Sequence, residues 1–369
     1  MPIHWYSLPL EQRFYVEGNE KEFPRPDYSI NKRFRKVKQV WTKNFKKGIY
    51  GSPAVSGNKL FYGDDLGFFN CLSLDKGKLL WQYKTRNRIA NTPAVADGKV
   101  VFGSCDYNIY CLDQNDGKLV WSVATKNAVL GSPLIEVGTV YIGGSDGSFR
   151  ALDLTTGKQK WIFEELKGYV ESRPVIADNK VIFGAWDTNL YALDKATGNL
   201  VWKWNNGHPR LHFSPAAVCP VVSNGKVFIT APDRFFTALD VETGREVWRT
   251  NAHQVRETVG LSEDGKRVYS RCMNDSIVAI DATADAPKVL WKIDAAYGYD
   301  HNACMPVERN GVVVSATKNG EITAVRALDG AILWKHKLGN CIINTLVPIS
   351  DTDWVLTTTN GVVARISAR

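Results

Sequence analysis

Short apolar runs alternate along the chain with Gly, Asp, Asn and Pro, and no stretch holds a 3.6-residue hydrophobic period for long. One stretch shows the pattern in full: SPLIEV (132–137), TVYIGGSD (139–146), SFRALDLTTG (148–157) and KQKWIF (158–163). Apolar or alternating runs of this length, bounded by Gly and Asp, predict strands, so the unit reads as an antiparallel sheet of four. The unit then repeats. Trp recurs at Trp41, Trp81, Trp121, Trp161, Trp202, Trp248, Trp291 and Trp334, in steps of 40, 40, 40, 41, 46, 43 and 43 residues, which is the period of a four-stranded blade. A turn precedes most of them, as in LDKGKLLW, QNDGKLVW, LTTGKQKW, KATGNLVW and VETGREVW. Its Gly supplies the left-handed backbone that closes a hairpin between the third and fourth strands.

One such sheet cannot bury both of its faces, and neighbours stacked about an axis solve this as a propeller. Eight fourth strands are present, but only seven complete sets of the first three lie between Trp41 and Trp334. The missing set is at the C-terminus, where 342–369 supplies three strands with no Trp after them. The expected fold is therefore all-β: an eight-bladed propeller over residues 36–369. A strand near 37–43 pairs with one near 362–367 to close the ring and remove its open edge. Residues 1–35 stand outside the repeat and read as an N-terminal extension or the remnant of an upstream domain.

Composition agrees with this. The 369 residues include 12 Trp, 30 Gly and 15 Pro but only 3 Met, a mixture suited to strands and tight turns. The net charge of +8 permits an acidic partner. The basic runs KRFRKVK (32–38) and KKG (46–48) lack the length and aromatic interleaving of a nucleic-acid footprint, so none is expected. Seven cysteines stand singly with no CxxC pair, which argues against a zinc site or a disulfide framework. No apolar stretch is long enough for a membrane span, and the first ten residues do not form a signal peptide.

The strings ALDLTTGKQKW, ALDKATGNLVW and ALDVETGREVW resemble the tryptophan-docking repeat of the pyrroloquinoline-quinone-like propeller family. Asp113, Asp153, Asp194 and Asp240 each stand eight residues before their Trp, and the resemblance implies that these Asp and Trp residues dock adjacent blades. The later units depart from it: Asp281 is ten before Trp291, and Arg326 takes the Asp place before Trp334. The resemblance also raises a quinone cofactor, but quinone dehydrogenases of this family carry a vicinal cysteine pair and a calcium site. No two cysteines are adjacent here, so no cofactor and no metal are expected. The family further implies a bacterial, periplasmic or extracellular setting and includes a scaffold of outer-membrane assembly. Some bacterial calcineurin-like metallophosphoesterases resemble this chain in their C-terminal propeller, yet the motifs DxH and GNH[DE] are absent.

A large aromatic at one register in every blade is a packing element rather than a ligand surface. A second set, Asp106, Asp146, Asp187 and Asp233, falls in the turn between the second and third strands, where Asx-turn geometry accounts for it. The candidate site lies elsewhere. Segments running from each fourth strand to the next first strand converge on one end of a propeller's channel. They carry Tyr50, Arg88, Arg173, Arg210, His212, Arg256, Tyr299 and His301. Most are cations or neutral donors, suited to a carboxylate, sulfate or phosphate. The expectation is a non-catalytic module binding a protein partner or an anionic small molecule or glycan, acting as a monomer. The alternative is an enzyme on an anionic glycan, with His301, Tyr299 and Arg256 as acid, base and charge neutraliser, or the accessory domain of a phosphoesterase. His208 and His212 are separated by Pro209 and do not read as a helical metal pair.

Overall fold

Extended segments that are apolar on both faces need cover on both faces, and the second and third strands of each repeat are of this kind. The computed structural model describes residues 27–34 and 36–368. Among them, 32 strands (β1–β32 in chain order) form eight four-stranded antiparallel sheets. Blades 1 to 7 span 54–84, 94–124, 134–163, 175–205, 221–250, 260–299 and 307–337. Blade 3 is representative: β10 (Leu134–Glu136) lies innermost, followed outward by β11 (Thr139–Gly143), β12 (Phe149–Asp153) and β13 (Gln159–Phe163). β11 is buried along its whole length, whereas β13 has exposed positions because it is the outer edge.

The eighth blade closes the ring. β1 (Val37–Asn44) pairs antiparallel with β32 (Val362–Ala368), from Val37 opposite Ala368 to Asn44 opposite Val362. This is the pairing that the orphan strands at the two ends of the repeat predict. Part of the preceding segment joins the same structure. Helix α1 (Ser29–Arg33) packs on β29 (Ile332–Lys337), the outer strand of blade 7. Its Asn31 amide donates to the Lys337 carbonyl at 2.8 Å, and Asn31 Oδ1 accepts the Lys337 N–H at 2.7 Å. The rest of the expected extension, residues 1–26, lies outside the described residues.

Blades meet face to face through apolar side chains. The rings of Phe69 and Phe102 stack at 4.1 Å between blades 1 and 2, and those of Phe149 and Phe183 at 3.9 Å between blades 3 and 4. The periodic Trp residues work at one end of this contact. Seven of the eight are buried, Trp81 only partly. Trp41, Trp121, Trp161, Trp202 and Trp291 donate from Nε1 to a carbonyl in the next blade, at Leu74, Leu154, Lys195, Val241 and Ala327, over 2.9–3.0 Å. Beneath each ring lies the turn glycine. Gly157 has φ +71°, and a Cβ there would come within 2.7 Å of the Trp121 ring.

The Asp residues of the repeat act one step back. Asp153 accepts from the backbone N–H and the hydroxyl of Thr156 at 2.8 and 2.9 Å, and Asp194 and Asp240 do the same with Thr197 and Thr243. Asp113 caps its turn through the Asn115 N–H at 2.7 Å. The carboxylate thus shapes the turn, and the turn's carbonyl and glycine receive the Trp. Blade 7 illustrates the distinction: Arg326 replaces the Asp, Asp329 caps the turn through the Ala331 N–H, and Trp291 still reaches the Ala327 carbonyl.

Two substitutions test this arrangement by chemical denaturation. Trp121→Ala removes a buried ring and its hydrogen bond and is expected to cost about 3–5 kcal/mol. Gly157→Ala meets both a left-handed backbone and the Trp121 ring and should cost more than about 1 kcal/mol. Effects under about 0.5 kcal/mol, typical of exposed positions, would remove the Trp from its docking role.

Candidate functional site

The segments joining each fourth strand to the next first strand pass inward over the end of the ring opposite the Trp turns. Carboxylates of the second Asp set fasten them. Asp106, Asp146 and Asp187 accept the backbone N–H of Arg86, Lys126 and Lys167, each twenty residues earlier, at 2.9, 3.4 and 3.2 Å. Asp187 also accepts from the Tyr191 hydroxyl at 2.7 Å, while Asp233 pairs with Arg249 at 2.7 Å. The expected Asx turns are present beside these longer-range bonds: Asp146, Asp187 and Asp233 accept the N–H two residues on, from Ser148, Asn189 and Phe235, at 3.3, 3.2 and 3.0 Å.

Neighbouring segments are then joined to one another. Ser52 N–H donates to Thr92 Oγ1 at 2.9 Å, Thr92 N–H to Ser132 Oγ at 3.1 Å, and Met305 N–H to Thr345 Oγ1 at 3.0 Å. Side-chain amides add further links: Asn91 to the Val129 carbonyl at 3.0 Å, Asn302 to Ile343 at 2.8 Å and Asn344 to Ile49 at 2.9 Å. These bonds tie the segments leading to blades 7, 8, 1, 2 and 3 into an arc, a partial hoop around a cavity of about 730 Å³ to which all eight segments contribute side chains. That volume falls in the range of small-molecule sites.

Charge around this mouth is mixed. Arg256 and Glu257 stand side by side, with Nε 3.3 Å from Oε2. Glu257 is buried and has φ +51°. Burial pushes its carboxyl above the ordinary range, Arg256 pulls it back, and the nearby Glu171 pushes it up again. Glu171 accepts from Trp186 Nε1 at 2.9 Å, and the Trp186 and Tyr169 rings stack 5.6 Å apart. His301 is held below its usual value by burial, then by Lys318 and Arg256, so its ring is neutral at neutral pH. The segment bearing His301 is anchored from below by Asp300, which is ion-paired with Arg271 among side chains almost wholly out of water. Asp300 also accepts the Lys318 N–H at 2.8 Å.

Of the residues singled out in the sequence, the cavity gathers Tyr50, His212, Arg256 and His301. Tyr299 is exposed beside it, its ring 5.8 Å from that of His301 and 5.3 Å from the Lys318 ammonium. Arg88 turns to the Cys105 thiol. Arg173 borders a separate cavity of about 200 Å³ beside 134–136 and 174–176, and Arg210 is exposed ahead of a short 3₁₀ turn at Leu211–Phe213. The rings of His208 and His212 both lie against Phe213, at 3.9 and 4.1 Å. Glu171, Glu257, Trp186 and Lys318 line the cavity without having been picked out in the sequence. Glu171 was legible there: it is the third residue before a Pro, as are Tyr50, Ala90 and Leu130, and all four line the mouth. Trp186 and Lys318 sit in turns between second and third strands, outside the segments from which candidates were drawn.

Among the described residues no group of three or more His, Cys, Asp or Glu side chains is placed to hold a metal ion. Two side-chain carboxylates line the mouth, Glu171 and Glu257, and by themselves they supply too few oxygens for the six to eight ligands of calcium.

A family model described as outer membrane protein assembly factor BamB matches residues 35–109, 103–231, 173–285 and 273–369. No curated protein sequence matches the chain. Among solved structures, BamB from Moraxella catarrhalis superposes with a TM-score of 0.74 at 18% identity, covering 90% of this chain and 99% of that one. The computationally designed Ika8 protein gives 0.75 at 19% identity, covering 88% and 98%. A quinohemoprotein alcohol dehydrogenase from Comamonas testosteroni gives 0.72 at 14% identity, covering 95% and 79%. At these identities the likeness is one of fold.

The Glu257 environment has a consequence for stability. A carboxyl raised in the folded state contributes stability that is complete below its unfolded value and is lost as pH rises. Relative to Glu257→Gln, the wild type should therefore lose ground in melting temperature as pH rises above the ordinary carboxylate range. A difference that stays flat, or moves the other way, contradicts the raised carboxyl.

Proposed function

This chain belongs to the family described as outer membrane protein assembly factor BamB, and from that premise we propose that it is a non-catalytic binding and scaffold module. The observation that carries this reading is the hooped mouth: a cavity of small-molecule size, held open by bonds between neighbouring segments and lined from every blade. A site fixed before its ligand arrives loses little entropy on binding. Around it, Leu66, Tyr107, Leu211 and Tyr299 are exposed on the same end of the ring, supporting a protein partner seated over the opening. Within it, Lys318 and Arg256 are the charged groups for a carboxylate, sulfate or phosphate, with Tyr50, His212 and His301 as further hydrogen-bonding groups. The family's printed role in outer membrane protein assembly supports a scaffold, and with it a bacterial, periplasmic setting.

One arrangement favours the enzymatic alternative: Tyr299, His301 and Arg256 are neighbours at the rim. Titration of a charged-oligosaccharide panel at rising salt addresses both readings. A binding module is expected to show affinity that falls with salt and that drops about tenfold in Lys318→Gln, with thermal unfolding little changed. Turnover of any panel member that His301→Ala abolishes would sink the non-catalytic reading.

A further inference from the structure

The way neighbouring segments are linked changes at the segment leading to blade 4, which bonds through its backbone, Ser132 N–H to the Glu171 carbonyl and Ser172 N–H to the Ala216 carbonyl. In the segments leading to blades 2 and 3, the residue before Pro carries a hydroxyl, Thr92 or Ser132, which accepts an N–H from the preceding segment. In the segment leading to blade 4 that position is Arg173, and the Ser132 N–H goes to the Glu171 carbonyl instead, at 3.3 Å. One residue earlier, Asn91 sends its amide across to the next segment. Here the residue is Ser172, which lines the cavity and whose Oγ is buried and without a partner. A buried hydroxyl in that state points to a ligand that completes its bonding.

The surroundings define the charge of that ligand. Glu171 replaces the Tyr, Ala or Leu of the other segments, and Glu257 reaches the same cavity from the segment between blades 5 and 6, close enough for the two carboxylates to repel. Arg256 offsets one of them. The Trp186 ring, stacked on Tyr169, supplies an aromatic face to the same wall. Two carboxylates, a hydroxyl able to accept and an indole face match the requirements of an organic cation.

We propose that Glu171, Ser172, Glu257 and Trp186 form a site for an ammonium or guanidinium group, carried by a free amine or by a basic side chain of a protein partner. This deepens the binding-module reading and rests on it. The cation donates to the carboxylates and to Ser172 Oγ, lies against the indole and relieves the repulsion between Glu171 and Glu257. A ligand bearing an anionic group as well spans from this sector to Lys318 across the mouth.

Isothermal titration at low salt tests it with agmatine, with a short arginine-containing peptide and with citrate. At least one of the two cationic probes is expected to bind, and to lose about tenfold or more in affinity in Glu171→Gln and in Glu257→Gln. Ser172→Ala should weaken it by a smaller factor, and Lys318→Gln should not weaken it at all. Agmatine binding as well as the peptide identifies a free amine as sufficient; binding of the peptide alone assigns the site to a protein side chain. Failure of both cationic probes, or undiminished binding in both Glu variants, overturns the site. Citrate binding that Lys318→Gln weakens, without cation binding, overturns this site alone. Silence from all three probes removes the ligand-binding reading of the mouth as well. A single cooperative melting transition retained in both Gln variants, whatever the shift in its midpoint for Glu257→Gln, separates lost binding from lost fold.

Discussion

A buried indole lying on a glycine in the next blade is the contact on which the rest of this molecule depends. It recurs wherever a regular turn is available, and it sets the spacing and angle between sheets that share little else in their outer strands. Because the contact involves a backbone carbonyl and a residue with no side chain, it places few demands on the rest of the turn. Blade 7 keeps it after exchanging its Asp for Arg326. Docking is concentrated at the end that bears the turns between third and fourth strands, so the opposite end is released from that task and is free to vary.

The exceptions have local causes. Trp81 lies over Gly117, yet its Nε1 is without a partner, and the Gln114 carbonyl of that turn accepts from Lys59 Nζ at 3.3 Å. Trp248 likewise lacks an acceptor. It faces blade 6, where the turn from Asp281 to Lys288 is longer and holds no glycine. The same blade carries the longest strand, β25 (Val289–Tyr299), which brings Tyr299 to the rim beside His301. Irregular docking below and a projecting rim above thus occur in one blade, as expected when a repeat yields locally to another requirement.

How much of this could be read from the sequence follows from what each feature depends on. The Trp period, the turn glycines and the orphan strands at 37–44 and 362–368 are local signals with one geometric solution, and they specify eight blades and their closure. The convergence of the connecting segments is a corollary of that topology, which is why Tyr50, His212, Arg256 and His301 meet. Selecting cations from those segments was a different kind of inference. It passed over Glu171 and Glu257 in the same segments, and it included Arg88 and Arg173, whose side chains go elsewhere. Direction depends on register within the segment, not on residue type. Trp186 and Lys318 come from turns twenty or so residues away in sequence and enter the mouth only through the curvature of the blade.

That distinction bears on where specificity resides. The hoop is built from Ser, Thr and Asn at positions fixed relative to Pro, so any departure in those positions changes both a bond and a lining side chain at once. In the segment before blade 4, Ser172 and Arg173 replace the side-chain links with backbone ones, and Glu171 lines the cavity. Burying a carboxylate beside another is costly unless something compensates. Arg256 supplies part of that compensation for Glu257, and the Trp186 N–H part of it for Glu171. A repeat protein can carry such a local cost because its stability is spread over many similar interfaces, and the two carboxylates lie where a bound cation would add to that compensation.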